Sequence, residues 1–325
     1  MANLSVAELA RAIACIRQHA RVALHFHPDR LDDQLRPVAA SLLECGRYKS
    51  QFETLISNGS VSAVPGGARD RWEHRLFGGA YQVDGTTNAH RPKYGALDLL
   101  RHPDGPAPRF GACYLLLAPQ ASARATFTYL DSHQDPPEKG TLDELDDIVA
   151  ALLAESFTRE SALGVGSLRP AALVARLAEL DRPFADPSRR APIRSLNHYV
   201  EAQVHGDVWL AADVEILVAD PAFRGTEIGA ALAAICERYQ IRCAWHAGFA
   251  LAAADVPDDF RGPTMASLAA RIAGGDRVDA AAIGRAAAEL KRDPTAWADR
   301  GSSAEVLQEL KLLWHVVVRF GAPAT

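Results

Sequence analysis

Glu201 and Gln203 are polar side chains in an otherwise apolar run, Tyr199-Val-Glu-Ala-Gln-Val-His205. The alternation predicts a β-strand, on which residues two apart face the same side. A carboxylate there can stabilise positive charge that develops in a transition state. Glu215, two residues after Asp213 on the next predicted strand, is the alternative carboxylate. We favour Glu201 over Glu215, because burying a carboxylate in an apolar strand without a role costs free energy; the other interpretation places Glu201 on a solvent-facing edge.

The composition is that of an ordinary globular protein. The chain has 325 residues, of which 48% are hydrophobic and 23% charged, with a formal net charge of -5. These values exclude disordered and collagen-like chains. A pI near 6.1, with basic and acidic residues interspersed, argues against nucleic acid as a partner. No window has the ~20 apolar residues of a membrane helix, so we expect no membrane partner.

The cysteines and histidines indicate no metal site. The five cysteines are odd in number and form no Cys-x-x-Cys pair, so we expect neither a disulfide framework nor a thiolate zinc site. The histidines form no His-x3-His pair. We therefore expect a chemistry without metal.

The tetrapeptide His27-Pro-Asp-Arg30 resembles the turn by which J-domain co-chaperones engage Hsp70. A J-domain needs a helix that runs directly into this turn, whereas the stretch from Val22 to His27 alternates as a strand does. A J-domain-like interaction module without enzymatic activity is therefore one alternative, and not the favoured one.

The sequence Arg224-Gly-Thr-Glu-Ile-Gly229 opens a predicted helix over 226–239. It resembles the pyrophosphate-binding loop of GCN5-related acetyltransferases, in which backbone N–H groups at a helix start hold phosphates. Glu227 departs from that pattern, because a carboxylate repels phosphate. We favour an ordinary helix start with Thr226 as N-cap, and a GCN5-like acyltransferase is the second alternative.

Short aromatic and basic sequences recur from His25 to about Arg224. They are His25-Phe-His-Pro-Asp-Arg30, Tyr48-Lys-Ser-Gln-Phe-Glu-Thr54, Ser57-Asn-Gly-Ser60, His74-Arg75, Phe77-Gly-Gly-Ala-Tyr81, Arg91-Pro-Lys-Tyr-Gly-Ala-Leu97, Arg109-Phe-Gly-Ala-Cys-Tyr114, Thr126-Phe-Thr-Tyr-Leu-Asp-Ser-His133 and Tyr199-Val-Glu-Ala-Gln203. Together they resemble a bacterial domain family long catalogued as of unknown function and similar to the CteC-like effectors. Those effectors are mono-ADP-ribosyltransferases that modify a threonine of ubiquitin.

This resemblance implies an α+β fold with an ADP-ribosyltransferase-like split β-sheet that holds NAD, the co-substrate, in a cleft. It also implies ubiquitin as the protein substrate and one carboxylate beside the nicotinamide ribose. Glu201 and Gln203 are the matching catalytic pair. In the commonest toxin pattern the second position of the pair is the catalytic Glu, and here it is Gln203. The choice between Glu201 and Glu215 therefore stays open.

The resemblance further implies residues that bind NAD. Arg75 beside Gly78 and Gly79 would hold the diphosphate, and Tyr94 or Phe110 would stack on a flat ring. The other NAD-binding residues implied are Arg30, Asn58, Gly59, His74, Thr126 and Ser132, the last two through their hydroxyl groups.

The elements that must position these residues follow from periodicity and turn signals. We predict helices over 4–19, 32–46, 141–156, 170–180 and 226–239, strands over 22–27, 111–117, 125–130, 199–205, 208–210 and 213–218, and irregular loops over 65–108. The expected organisation is an N-terminal helix (1–20), a catalytic domain (21–245) and a helical accessory lobe (246–325). We expect a location in the bacterial cytoplasm, to which the effector resemblance adds secretion into a host cytosol as an alternative.

Overall fold

The computed structural model describes residues 4–56, 63–182 and 196–324. The strands are β1 (Arg21–Phe26), β2 (Arg47–Tyr48), β3 (Lys93–Asp98), β4 (Cys113–Leu117), β5 (Ala125–Tyr129), β6 (Lys139–Gly140), β7 (Ser161–Ala162), β8 (Val165–Gly166), β9 (Val200–Val204), β10 (Val208–Trp209), β11 (Val214–Ala219), β12 (Arg242–Trp245), β13 (Ala250–Ala252) and β14 (Arg277–Asp279). The helices are α1 (Val6–His19), α2 (Val38–Cys45), α3 (Gln51–Thr54), α4 (Ala68–Phe77), α5 (Pro119–Ser122), α6 (Asp146–Arg159), α7 (Pro170–Leu177), α8 (Leu210–Asp213), α9 (Glu227–Tyr239), α10 (Met265–Ile272), α11 (Ala280–Arg292) and α12 (Ser303–Phe320). Short 3-10 helices lie at Asn88–His90, Pro108–Phe110, Ser132–Gln134, Pro221–Phe223, Ala253–Asp255 and Pro294–Arg300.

One eight-stranded sheet organises the molecule, in the order β12-β11-β4-β1-β3-β9-β5-β6. All neighbours in it are antiparallel except β11 and β12, which are parallel. The predicted mixture of helices with a large sheet is thus confirmed, and the ADP-ribosyltransferase character of the core stays a prediction.

The sheet divides between β1 and β3. These strands pair only from Arg21↔Asp98 to Ala23↔Ala96. Beyond that point, the rest of β1 pairs with β4 and the start of β3 pairs with β9. Gly95 stands at the division, where an added Cβ would lie 2.5 Å from the carbonyl oxygen of Ala23. Two four-stranded halves therefore share a short seam and then separate.

Helices cover one face of the sheet. Ile16 of α1, Leu152 of α6 and Leu173 of α7 belong to the same buried cluster as Val22 and Leu24 of β1. The start of α1 follows from its sequence, because Ser5 and Glu8 form a capping box. The predicted helix over 32–46 begins later, at Val38, because the carboxylate of Asp32 accepts backbone N–H groups and fixes a turn.

The C-terminal segment contains α10, α11 and α12 and the paired strands β13 and β14. Trp314 of α12 donates its indole N–H to the carbonyl oxygen of Pro108 at 2.9 Å. The ring of Trp314 also meets that of His27 edge to face, with 5.3 Å between centroids. On α11, Gly284 lies so close to the carboxylate of Asp29 that a Cβ would overlap it. The last helices therefore pack directly against the turn that follows β1.

The expectation of loops over 65–108 is wrong, because α4 and β3 lie in this stretch. The sequence of α4 is strongly polar, so its buried face does not show as apolar periodicity. That face includes Arg69, Asp70 and Glu73, and Arg91 forms ion pairs with both acidic residues. Ion pairing therefore allows a charged helix face to be buried.

Both alternative motifs have other structural roles. The residues before His27 form the strand β1, so the helix that a J-domain requires is missing and that alternative is wrong. At α9, Thr226 is the N-cap and accepts the backbone N–H of Gly229 at 3.1 Å, as the favoured interpretation predicts. A Cβ on Gly229 would lie 2.1 Å from the carbonyl oxygen of Phe223, so this glycine permits close packing.

Candidate functional site

A cleft of about 540 Å³ opens where the two halves of the sheet separate. This volume lies within the range usual for small-molecule sites. His25 and Phe26 of β1 line it from one half, and Tyr94 of β3 and Glu201 of β9 line it from the other. The other lining residues used below are Arg30, Arg69, Trp72, Arg109, Phe110, Asp131 and Lys311.

Glu201 is a buried carboxylate of this cleft, only 5% exposed. The hydroxyl of Ser132 donates a hydrogen bond to its Oε1 atom, and Nε2 of Gln203 donates to the same oxygen at 3.0 Å. Glu201 and Gln203 thus face the same side of β9, as their spacing predicts. Burial, and then repulsion by Asp131, raise the pKa of Glu201 to about 7, against the effect of the two hydrogen bonds.

A chain of hydrogen bonds continues behind Glu201. The hydroxyl of Thr126 donates to Oε1 of Gln203 at 2.9 Å and lies 3.0 Å from Nε2 of His205. Because Thr126 uses its proton toward Gln203, Nε2 of His205 must be the donor, and its Nδ1 accepts from the hydroxyl of Tyr81. Burial lowers the pKa of His205, which favours this neutral ring. The chain thereby fixes the amide of Gln203 with its N–H toward Glu201.

Aromatic rings and a guanidinium group form one wall of the cleft. The guanidinium carbon of Arg69 lies 4.6 Å from the ring centroid of Trp72 and 5.1 Å from that of Tyr94. Tyr94 donates its hydroxyl to Glu73 at 2.9 Å, and Glu73 is held by Arg91 at the same distance. This wall offers flat apolar faces beside a positive charge.

A second guanidinium group, that of Arg30, follows the end of β1. Its NH1 atom is buried and has no hydrogen-bond partner among the described residues. Burial lowers the pKa of Arg30, against the attraction of Asp29. Because an unsatisfied buried donor costs free energy, Arg30 is suited to an anionic group entering the cleft.

Phe110 is another aromatic residue that lines the cleft. Its ring meets that of Tyr199 edge to face at 5.3 Å, and the guanidinium carbon of Arg109 lies 4.7 Å from its centroid. Phe110 and Tyr94 thus both line the cleft, and their stacking on a flat ring of NAD stays a prediction. The lining of the cleft does not include Thr126, Ser132 or Gln203. Ser132 and Gln203 donate hydrogen bonds to Glu201, and Thr126 donates to Gln203.

Several residues of the predicted site lie elsewhere. His74 and Arg75 are on the exposed side of α4, and Gly78 and Gly79 end that helix in the left-handed backbone region. Among the described residues that line the cleft, these four do not appear. The structure therefore gives Gly78 and Gly79 the role of a helix-ending turn. Asn58 and Gly59 lie outside the described residues.

The alternative carboxylate, Glu215, also lies away from the cleft. It is on β11, where its carboxylate is 3.8 Å from the guanidinium group of Arg21 and 41% exposed. This contact is an ordinary ion pair near the surface.

Several cleft residues were missed from the sequence, and Arg69, Trp72 and Lys311 are three of them. Arg69 and Trp72 lie three positions apart, one helical turn, and this spacing could have signalled a helix in the stretch taken for loops. Lys311 is on α12, far from Glu201 in sequence, and no local pattern connects the two.

Across the described ranges, no group of three or more His, Cys, Asp or Glu residues is placed to hold a metal ion. Nor does any described helix have the length and apolar character needed to span a membrane.

A family model with the description "Protein of unknown function (DUF3626)" matches residues 21–320. The chain belongs to this family. No curated protein matches the chain. The DUF3626 match covers both halves of the sheet and also α12, which brings Lys311 to the cleft.

Proposed function

We propose that this DUF3626 protein is an NAD-dependent mono-ADP-ribosyltransferase, a glycosyltransferase, whose core is an ADP-ribosyltransferase-like split sheet. One observation carries the proposal: the buried carboxylate of Glu201 lies in the cleft at which the sheet divides, together with flat aromatic faces and the buried NH1 donor of Arg30, which has no hydrogen-bond partner among the described residues. A carboxylate in such surroundings can stabilise the oxocarbenium-like state through which an N-glycosidic bond breaks.

The residues present fit NAD as the co-substrate. NAD has two flat ring systems joined through a diphosphate, so its site needs aromatic faces and cations. Trp72, Tyr94 and Phe110 supply aromatic faces among the residues that line the cleft with Glu201. The unpartnered NH1 atom of Arg30 supplies a buried donor for an anionic group.

The proposed reaction requires Glu201 to be ionised. The bond between the ribose C1′ and the nicotinamide nitrogen breaks, and nicotinamide leaves with the bonding electrons. An acceptor hydroxyl then forms a new C1′–O bond and releases its proton to solvent water. The carboxylate stabilises the positive ribose, and Ser132 and Gln203 hold that carboxylate in place. Because a hydroxyl is a weak nucleophile, bond breaking must be well advanced before attack.

The proposed acceptor is a threonine of ubiquitin, and this part rests on the resemblance to the CteC-like effectors. In that role the protein would be made in the bacterial cytoplasm and delivered into a host cytosol, where it would block ubiquitination. Its cysteines are unpaired in the described structure, which suits a reducing compartment.

The test is to incubate the full chain with NAD and ubiquitin and to measure the intact mass of ubiquitin and the release of nicotinamide. We expect a gain of one ADP-ribose, lost in Glu201→Gln and retained in Glu215→Gln. The second variant is the matched control, because Glu215 is a strand carboxylate outside the cleft.

Three other outcomes would reject the acceptor, the choice of carboxylate or the NAD chemistry, respectively. Nicotinamide release without a gain in mass would retain the NAD chemistry and exclude ubiquitin as the acceptor. Loss of activity in Glu215→Gln alone would overturn the choice of Glu201. If NAD is neither cleaved nor bound, the transferase proposal fails.

A further inference from the structure

Cationic side chains from separate parts of the chain meet at the end of the cleft that α12 forms. Lys311 comes from α12, Arg109 from the 3-10 helix Pro108–Phe110, and Arg261 from the segment before α10. Of these three residues, Lys311 and Arg109 line the cleft, and Arg261 is not among its described lining residues. The strongest electrostatic neighbours of Lys311 are the guanidinium groups of Arg109, Arg69 and Arg261 and the carboxylate of Asp131.

This arrangement is held by packing. Trp314, one helical turn after Lys311, is fully buried and donates its indole N–H to the carbonyl oxygen of Pro108, next to Arg109. The guanidinium group of Arg109 is further held by the side chain of Asn197 at 2.7 Å. These contacts hold α12, which carries Lys311, against the segment that carries Arg109.

The cluster is costly as it stands. The Nε atoms of Arg109 and Arg261 are buried, and neither has a hydrogen-bond partner among the described residues. Burial, followed by repulsion from Arg109, lowers the pKa of Lys311 to about 8. Repulsion from Arg109 also lowers the pKa of Arg261, after burial. Partly buried like charges of this kind are destabilising until an anion approaches.

Asp131 does not balance the cluster. It is the one carboxylate among the strongest electrostatic neighbours of Lys311, against three guanidinium groups. Its charge also acts on Glu201. An anion with several acceptor oxygens would give the Nε atoms of Arg109 and Arg261 hydrogen-bond partners and would relieve the repulsion among the cations.

We propose that Arg109, Arg261 and Lys311 form a subsite for a phosphoryl group. Its source is either free inorganic phosphate and pyrophosphate or the phosphates of a dinucleotide lying in the cleft. The residues of the subsite come from α12, the 3-10 helix Pro108–Phe110 and the segment before α10, whereas Arg30 follows β1, so the two sets of cations belong to different parts of the chain. It rests on charge and packing, and it does not require the transferase chemistry.

The test is calorimetric titration of the full chain with inorganic pyrophosphate, together with thermal unfolding. We expect the wild type to bind, and Lys311→Met to bind about 10- to 100-fold more weakly, as the loss of one charge-assisted hydrogen bond implies. Lys311→Arg should retain most of the affinity. The matched control is Lys139→Met, which removes a surface lysine outside the cleft.

Unfolding without ligand separates binding from a structural role. Because removing one of several repelling cations does not destabilise, the Tm of ligand-free Lys311→Met should equal or exceed that of the wild type, while its rise with pyrophosphate should shrink. If pyrophosphate does not bind the wild type, or binds wild type and Lys311→Met equally, the subsite is wrong.

Titration in the presence of NAD then identifies the source. Competition between NAD and pyrophosphate, weakened in Lys311→Met, assigns the subsite to a dinucleotide, and independent binding assigns it to free phosphate. If pyrophosphate binding depends on Lys311 but the protein does not cleave NAD, the subsite is supported and the transferase proposal is rejected. The two proposals therefore fail separately.

Discussion

At the scale of single residues, the protonation of Glu201 decides what the cleft can do. An isolated Glu titrates near pH 4.3 and is fully charged at neutral pH. In the cleft its pKa is raised to about 7 by burial and by Asp131, so near neutral pH the folded protein contains both forms. The charged form is the one that can stabilise a positive ribose. The surroundings of the carboxylate therefore limit the active fraction.

The rate of NAD cleavage should consequently rise with pH, with a midpoint near 7. The sign follows from ionisation of Glu201, because raising the pH through its pKa increases the carboxylate form. Asp131→Asn removes a like charge and should move the midpoint downward. The measurement is the pH profile of nicotinamide release for both proteins. An unchanged midpoint in Asp131→Asn would show that Asp131 does not act on the titrating group.

The hydrogen-bond chain behind Glu201 should also influence its titration. Thr126→Val removes the donor to Gln203, so the amide is no longer held with its N–H toward Glu201. The carboxylate then loses a stabilising donor, and the midpoint should move upward while the rate at pH 7 falls, by about tenfold for one hydrogen bond to a charged group. Thr126→Ser retains the hydroxyl and should restore both values. If serine and valine behave alike, the hydroxyl has no positioning role.

At the scale of elements, the cleft exists because β1 and β3 pair through a short seam and then separate. Most of the longer strands of the sheet were predictable, because their residues alternate between apolar and polar or are continuously apolar. These strands are β1, β4, β5, β9 and β11. The strand β3 and the helix α4 were not predicted. Tertiary contacts stabilise Lys93 and Gly95 in β3 and the charged face of α4. The local periodicity of a sequence does not reveal such contacts.

The seam itself can be tested at Gly95. In Gly95→Ala the new Cβ would lie 2.5 Å from the backbone oxygen of Ala23 and 2.7 Å from Cδ2 of Leu24. Since backbone cannot yield cheaply, we expect a loss of about 1–3 kcal/mol in the free energy of unfolding. Denaturant midpoints give this value. Gly166→Ala is the control, because no atom lies within 4 Å of its added Cβ, and it should leave the midpoint nearly unchanged.

At the scale of the whole molecule, the sequence could not reveal how the C-terminal helices contribute to the cleft. The expected helical segment does contain α10, α11 and α12, and α12 brings Lys311 beside residues about 200 positions earlier in the chain, such as Arg109. Such contacts depend on how the helices pack against each other in three dimensions, and no single segment of the sequence encodes that packing. The candidate carboxylate was predictable because strand spacing is local; the cationic end of the cleft was not.

This packing also predicts how the chain unfolds. Phe249 and Trp314 of the C-terminal segment lie in the same buried cluster as Leu24 of β1 and Leu115 of β4. Residues 21–245 and 246–325 should therefore unfold in one cooperative transition, because neither can lose the shared core alone. The measurement compares tryptophan fluorescence with far-UV circular dichroism during denaturation of the full chain. Coincident curves are expected, whereas two separate transitions would mean that the C-terminal segment is an independent lobe and that its contacts with the cleft are weak.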